Sequence, residues 1–181
     1  MRPLVDSDAD ELFALIDANR RYLARWMPFV GQTRSAADSL VFIRAARRQV
    51  AEHRGVQMAV LADERIIGVA GLHRVDWIRR STCIGYWLAE SHQGAGTMTL
   101  AAAALVDHAF GEWELRRVEI HAGVRNHRSR AIPQRLGFHQ EATVAGAERI
   151  GERVIDHVIY AIGAQEWTFA RPARISGSLR A

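Results

Sequence analysis

The chain has 181 residues, 49% hydrophobic and 24% charged, which is the composition of one globular domain and excludes a disordered or collagen-like chain. All 24 of its basic residues are arginine, against 20 acidic residues, and the absence of lysine excludes Schiff-base chemistry and a lysine-dependent phosphate loop. Cys83 is the one cysteine, so no disulfide forms within the chain. We find no signal stretch or membrane span in the sequence, and we therefore expect a soluble cytoplasmic protein.

The first half of the chain predicts two helices and then three strands. Asp8 and Glu11 have the spacing of a capping box at the start of a helix, and a second helical pattern begins near Ser35. The period then changes to two, which predicts a strand at 56–62, a turn, an apolar strand at 66–72 and a third strand at 83–88. Three adjacent strands of this kind predict an antiparallel meander.

The second half predicts a helix, a strand, a short helix and two closing strands. The long helix covers 98–110, the strand starts at Val118, and the short helix ends at Gly137, a residue suited to a left-handed helix end. The closing strands are predicted at 138–144 and 153–162. The strand–helix–strand step favours a right-handed parallel crossover, so we predict a mixed α/β sheet and not a doubly wound dinucleotide fold.

A glycine-rich segment lies between the third strand and the long helix, and it consists of Gln93, Gly94, Ala95, Gly96 and Thr97. Glycines let a ligand approach the backbone closely, and the free N–H groups at a helix N-terminus attract an anion. A turn that only changes the direction of the chain is an equally good interpretation of this segment alone.

The motifs and their order resemble the acetyl-CoA-binding core of the GNAT superfamily of N-acetyltransferases, in particular its RimJ/RimL-type branch. The segments that carry the resemblance are 18–28, 68–73, 84–88, 93–99, 118–120, 126–133, 136–138 and 156–160. It covers the chain to about Trp167. The resemblance implies a GNAT domain at 1–168 with helices on both faces of a mostly antiparallel sheet and a V-shaped splay between the central strands. A basic tail would follow at 169–181.

The resemblance also implies how acetyl-CoA binds. The strand that ends at 86–88 would contain a bulge and splay from the next strand, with the pantetheine arm in the gap and the pyrophosphate on the amides of 94–97. The cofactor-binding residues implied are Tyr86, Trp87, Leu88, Gln93, Gly94, Ala95, Gly96, Thr97, Met98, Asn126 and Ser129. Asn126 is also well placed to be a helix N-cap, and the two roles are compatible.

Three residues are candidates for catalysis because they match the positions that the family uses. Glu148 would be the base that takes the amine proton through water, Ser129 the proton donor to the thiolate, and the Leu88 backbone N–H the oxyanion donor. A surface glutamate paired with an arginine and a helix-start hydroxyl are the competing interpretations of Glu148 and Ser129. Cys83 lies in a strand and is expected to be packing rather than a nucleophile.

The acceptor side is the least constrained part of the sequence. We expect Trp26 and Trp77 near the acceptor, whereas we expect packed or solvated roles for the histidines that could line the cleft: His73, His92, His121 and His139. Their spacing predicts no metal site.

Three positions depart from the family pattern: Ala95 replaces a basic residue, Leu100 an acidic one and Gln134 a glutamate. We predict acetyl transfer to a primary amine, most simply a protein N-terminus. An inactive acetyl-CoA sensor and a small-amine acetyltransferase are the alternatives. We expect a homodimer and no nucleic-acid partner, because the arginines are dispersed.

Overall fold

The computed structural model describes residues 1–168, and the expected basic tail at 169–181 lies outside them. Five α-helices lie in this part of the chain: α1 (Ala9–Ala18), α2 (Arg20–Leu23), α3 (Ala36–Ala51), α4 (Thr97–Gly111) and α5 (His127–Arg135). Its seven strands are β1 (Arg2–Pro3), β2 (Val56–Ala62), β3 (Arg65–Asp76), β4 (Ser81–Leu88), β5 (Arg117–Gly123), β6 (His139–Ile150) and β7 (Arg153–Gly163). None of the described helices is long and apolar enough to cross a membrane.

The strands form one sheet in the order β1-β2-β3-β4-β5-β7-β6. The β4–β5 pair is parallel, and the other neighbours described are antiparallel. The α4 helix connects the two parallel strands, as the strand–helix–strand pattern requires. The predicted mixed α/β architecture is therefore confirmed.

Two apolar cores lie on opposite faces of the sheet. Adjacent residues of a strand point to opposite faces, and Val69 belongs to one core while Ala70 belongs to the other. The larger core packs under α4 and α5 and contains Leu105, and the smaller packs under α1 and α3 and contains Leu12 and Ile43. Helices thus cover both faces, as predicted.

The central strands separate part-way along their length. Strands β4 and β5 pair in parallel from Ser81, which lies opposite Arg117, to Ile84, which lies opposite Ile120. The pairing ends there, although β4 continues to Leu88. The predicted splay is therefore present. The predicted bulge at 86–88 is wrong, because β4 pairs regularly with β3 from Cys83 to Leu88. The irregular step of that pair falls between His73 and Asp76.

Two local predictions from sequence also need correction. Asp8 precedes α1 but does not cap it with its side chain, because its carboxylate accepts from the Arg2 guanidinium and from the Val5 amide. Glu11 instead accepts from the Ile66 amide, so the capping box is not formed. The strand predicted at 138–144 continues to Ile150, which makes β6 and β7 a long hairpin with a tight turn.

Candidate active site

The glycine-rich segment forms an open loop at the N-terminus of α4. Gly94 and Gly96 have φ values of 90° and 80°, in the left-handed region that favours glycine, and Gly96 is the N-cap of the helix. A Cβ added at either glycine would meet no heavy atom within 4 Å. The loop backbone is therefore free for a ligand to approach, next to the positive end of a 15-residue helix.

The Gln93 side chain ties this loop to two neighbouring helices. Its Nε2 donates to the Tyr22 hydroxyl at 2.6 Å, and its Oε1 accepts from Arg128 Nη1 at 2.7 Å. Tyr22 lies in α2 and Arg128 in α5. Both contacts fix the loop between the helices that flank it, a role that the sequence pattern did not indicate.

A cavity of about 830 Å³ opens beside the loop. All of the predicted cofactor residues line it: Tyr86, Trp87, Leu88, Gln93, Gly94, Ala95, Gly96, Thr97, Met98, Asn126 and Ser129. Two arginines that sequence reasoning missed, Arg128 and Arg135, line it as well. They share a face of α5 with Ile132 at i, i+4 and i+7 spacing, which was the available signal. Both arginines therefore add positive charge to the cavity that Ala95 lines.

The end of β4 presents unpaired backbone groups to the splay. The Ala89 amide donates to the Ile67 carbonyl at 2.8 Å, which makes Leu88 and Gly68 a non-hydrogen-bonded pair in the antiparallel ladder. The Leu88 N–H therefore points away from β3 and toward the side of the sheet where β5 lies. Leu88 comes after Ile84, the last β4 residue that pairs with β5, so β5 does not take up this N–H. The same alternation applies to Tyr86, so both residues offer backbone groups to an extended ligand.

The residues that close the splay are joined by hydrogen bonds. Asn126 caps α5 by accepting from the Ser129 amide at 3.2 Å, so the N-cap interpretation is confirmed. Ser129 Oγ lies 3.3 Å from the Tyr86 hydroxyl, which itself donates to the Ser129 carbonyl at 3.0 Å. Burial raises the pKa of the Tyr86 phenol well above its usual value, so this phenol stays protonated.

A second cavity, of about 660 Å³, meets the first at the splay. The two share Trp26, Met27, Tyr86, Trp87, Asn126 and Ser129. Glu148 lines the second cavity from within β6 and not from a connection, with its Oε2 3.4 Å from His157 Nε2. Its partner is thus a histidine of the same cavity, and Arg153 donates instead to the Ala24 and Arg25 carbonyls.

Cys83 has the properties of a packing residue. It is buried, and burial raises the pKa of its thiol to about 11, so the thiolate needed for attack is scarce at neutral pH. The expectation that Cys83 is a poor nucleophile agrees with this environment.

The structure places one of the two tryptophans that were expected near the acceptor in the cavity walls. Trp26 lines both cavities, but Trp77 lines neither. The Trp77 ring packs at a tilt against Trp113, with 5.6 Å between the ring centroids, and its indole N–H donates to the His53 carbonyl. Three of the four histidines line a cavity, His92 the first and both His73 and His121 the second, so the expectation of packed or solvated roles stays a prediction.

The fit of this site to acetyl-CoA follows from its backbone and its charges. An open glycine loop at a helix N-terminus suits a pyrophosphate, two arginines add positive charge, and the free edge of β4 suits an amide-bearing arm. The sequence model of the acetyltransferase (GNAT) domain family matches residues 1–139.

The chain belongs to the GNAT acetyltransferase family.

Relatives and solved structures agree with this membership over almost the whole chain. The chain is 36% identical to the Bacillus subtilis protein YdaF, provisionally named a ribosomal N-acetyltransferase, over 92% of each chain. It is 29% identical to the ribosomal-protein-serine acetyltransferase of Escherichia coli, with 89% and 90% of the two chains covered. The structure of the microcin C7 self-immunity acetyltransferase MccE with acetyl-CoA and AMP superposes with a TM-score of 0.84 at 25% identity, covering 89% of each chain.

The predicted RimJ/RimL-type relationship, GNAT fold and cofactor are confirmed by these findings. The protein is an acetyl-CoA-dependent N-acetyltransferase. Of the departures from the family pattern, Ala95 and Leu100 line the first cavity, whereas Gln134 lines neither cavity and lies 3.5 Å from the Tyr160 hydroxyl. The Gln134 departure therefore leaves the site unchanged.

Proposed function

We propose that the acceptor is the α-amino group of a protein or peptide N-terminus, which attacks directly while both substrates are bound. The meeting of the two cavities at the splay carries this proposal, because it gives an amine its own path to the thioester. The acceptor cavity is large enough for more than a small amine. Relatives named for ribosomal-protein acetylation support a protein acceptor.

Glu148 is proposed as the base. It is the one carboxylate among the residues that line the acceptor cavity, and its side chain is 32% exposed, so a water molecule can reach it. An α-amino group has a pKa near ~8 and a lysine amine near ~10.4, so the α-amino group loses its proton far more readily at neutral pH. One carboxylate acting through water is sufficient for such an acceptor.

Leu88 and Ser129 are proposed to act on the charges that develop during transfer. Bound acetyl-CoA supplies the acetyl group as a thioester that an amine can attack. The Leu88 N–H, which β3 does not use, stabilises negative charge on the carbonyl oxygen. Ser129 Oγ–H donates its proton to the departing sulfur, and solvent restores the hydroxyl. The Tyr86 hydroxyl holds the Ser129 side chain in place beforehand.

The remaining cofactor residues are proposed to bind rather than react. The amides of Gly94, Ala95, Gly96 and Thr97 hold the pyrophosphate, with Gln93 bracing the loop. Tyr86, Trp87 and Leu88 form one wall of the splay, and Met98 lines the cavity from the first turn of α4. Asn126 holds the pantetheine arm through the side-chain amide that capping leaves available.

An acceptor screen by mass spectrometry tests the proposed function. The purified protein is incubated with acetyl-CoA and three acceptor types: peptides with a free N-terminus, the same peptides blocked at the N-terminus but containing lysine, and polyamines. We expect one acetyl group on the free N-terminus. Acetylation of polyamines alone would contradict a protein acceptor and favour a small-amine enzyme.

Cellular location, assembly and domain limits complete the proposal. A cytoplasmic location is supported by the relatives named for ribosomal substrates. We propose a homodimer, which sedimentation equilibrium tests, and a catalytic domain at 1–168 followed by a basic tail at 169–181. Removal of 169–181 should leave acetyl-CoA binding unchanged, because all of the proposed cofactor residues precede it.

A further inference from the structure

A polar pair on the wall of the acceptor cavity has no part in the chemistry described above. Gln57 lies in β2 and His73 in β3, and both line the cavity that contains Glu148. The Gln57 Nε2 lies 2.9 Å from the His73 Nδ1. The neighbouring side chains on this face, among them Val69 and Trp87, belong to the apolar core.

The contact between the two side chains determines where the imidazole proton lies. An amide nitrogen can only donate, so the Nδ1 of His73 accepts from Gln57 and the neutral ring has its proton on Nε2. Burial lowers the pKa of His73 to about 4, so the ring is neutral at physiological pH. His73 therefore offers one N–H donor, and no described residue accepts from it.

Two glycines make room for the pair on the surface of the sheet. A Cβ at Gly85 would come 2.3 Å from the His73 Nε2, and a Cβ at Gly71 would come 2.4 Å from the Gln57 Oε1. Any side chain at either position would displace the polar groups. Gly85 directly follows Ile84, the last residue of β4 that pairs with β5. The His73 Nε2 thus lies over the point where the splay opens.

The surroundings favour a neutral ligand group. Among the described residues that line the acceptor cavity, one is acidic, Glu148, and one is an arginine, Arg74. Ser39, in the same wall, has a hydroxyl that is buried without a hydrogen-bond partner. A neutral N–H and a neutral hydroxyl match an uncharged oxygen better than a second charge.

We propose that His73 determines acceptor specificity by donating a hydrogen bond from Nε2 to an uncharged oxygen close to the acceptor amine, with Gln57 fixing the ring. This inference rests on the proposed peptide acceptor. Such an oxygen has two sources in a peptide, the side-chain hydroxyl of its first residue and its first carbonyl group. Either one would lie a few bonds from the attacking amine.

Three matched acceptors distinguish these sources: a peptide that begins with serine, the same peptide beginning with alanine, and the alanine peptide with its first amide bond replaced by a trans-alkene, which removes the oxygen without adding a charge. Values of kcat/KM are measured for the wild type and for His73→Leu. A side-chain contact predicts that the serine-to-alanine ratio of kcat/KM falls about tenfold in the variant, and a carbonyl contact predicts that fall for the alanine-to-alkene ratio. If both ratios stay within threefold, the inference is wrong.

His121→Leu is the control variant. It also removes a histidine from the cavity wall, but the Nε2 of His121 is already held by Glu119 Oε2 at 2.7 Å, so both ratios should stay unchanged. His73→Asn, which keeps an N–H donor, should restore part of the lost ratio. Equal changes in the His73 and His121 variants would overturn the inference, since they would reflect cavity shape alone.

Further measurements distinguish a loss of acceptor specificity from a loss of folding and from a failure of the proposed function. Calorimetry of peptide binding should show the same loss of selectivity without turnover, while CoA affinity and melting temperature report that His73→Leu is folded. If that variant does not fold, Gln57→Leu should lower the same ratio several-fold, because the ring loses its fixed orientation. A wild-type enzyme that acetylates none of the three peptides would contradict the proposed function itself.

Discussion

Gly96→Ala tests whether the loop at the start of α4 binds the cofactor. Gly96 has a φ of 80°, and an added Cβ meets no heavy atom within 4 Å, so the alanine causes strain but no clash. An L-residue in the left-handed region costs about 1–2 kcal/mol. If the backbone keeps its conformation, the free energy of unfolding falls by about this amount. If the backbone relaxes, the amides turn away from the ligand. A loss of about 1.4 kcal/mol in binding free energy then lowers the affinity for acetyl-CoA about tenfold.

Both results are measured by denaturant unfolding and by calorimetry with acetyl-CoA, and Gly111→Ala is the matched control. Gly111 is the last residue of the same helix, and a Cβ there also meets nothing within 4 Å, but its φ lies outside the left-handed region. We expect Gly111→Ala to leave acetyl-CoA affinity unchanged and stability equal or higher by up to about 1 kcal/mol. Wild-type stability together with wild-type affinity in Gly96→Ala would refute the role given to this loop.

Three other predictions concern the reaction and the pH dependence of stability. Cys83→Ala should keep kcat within a few-fold, and mass spectrometry of the intact protein should find no acetylated enzyme; an inactive but folded variant would contradict direct transfer. Ser129→Ala should lower kcat less than a change at Glu148, because a thiol with a pKa near ~8.5 leaves largely unaided; a larger loss would make Ser129 the main catalyst. Since burial lowers the pKa of His73 to about 4 in the folded state, against about 6.5 when unfolded, stability should fall as the pH drops from 6.5 to 4. Urea unfolding should show that His73→Leu loses less unfolding free energy than the wild type between pH 6.5 and pH 4. An equal loss in both proteins would show that other groups cause the pH dependence.

The parts of the fold that depend on local patterns could be predicted from the sequence. The change of period near Val56, the helix start near Ser35 and the glycine at Gly137 mark real boundaries, because each depends on residues close in the chain. The Asp8 capping box was wrong for the opposite reason. Arg2 and the Val5 amide compete for that carboxylate, and this competition depends on how the chain terminus packs.

The candidate site also has one part that local sequence predicts and one part that depends on contacts between distant residues. The cofactor residues lie in three short segments with a family pattern, and the structure places all of them on one cavity. The acceptor wall joins residues from strands that are distant in the chain, such as Gln57 with His73 and Glu148 with His157. Only the register of the sheet brings these side chains together, so a single sequence gives no signal for them.

The most direct test of direct attack assisted by Glu148 is the pH dependence of kcat for Glu148→Gln. The account predicts a loss of about 10²–10⁴ at pH 7 that shrinks as the pH rises, because a deprotonated amine no longer needs a base. Glu152→Gln, at an exposed glutamate in the β6–β7 turn, should match the wild type. An unchanged kcat for Glu148→Gln at pH 7 would contradict the account and would show that solvent takes the proton of the acceptor amine.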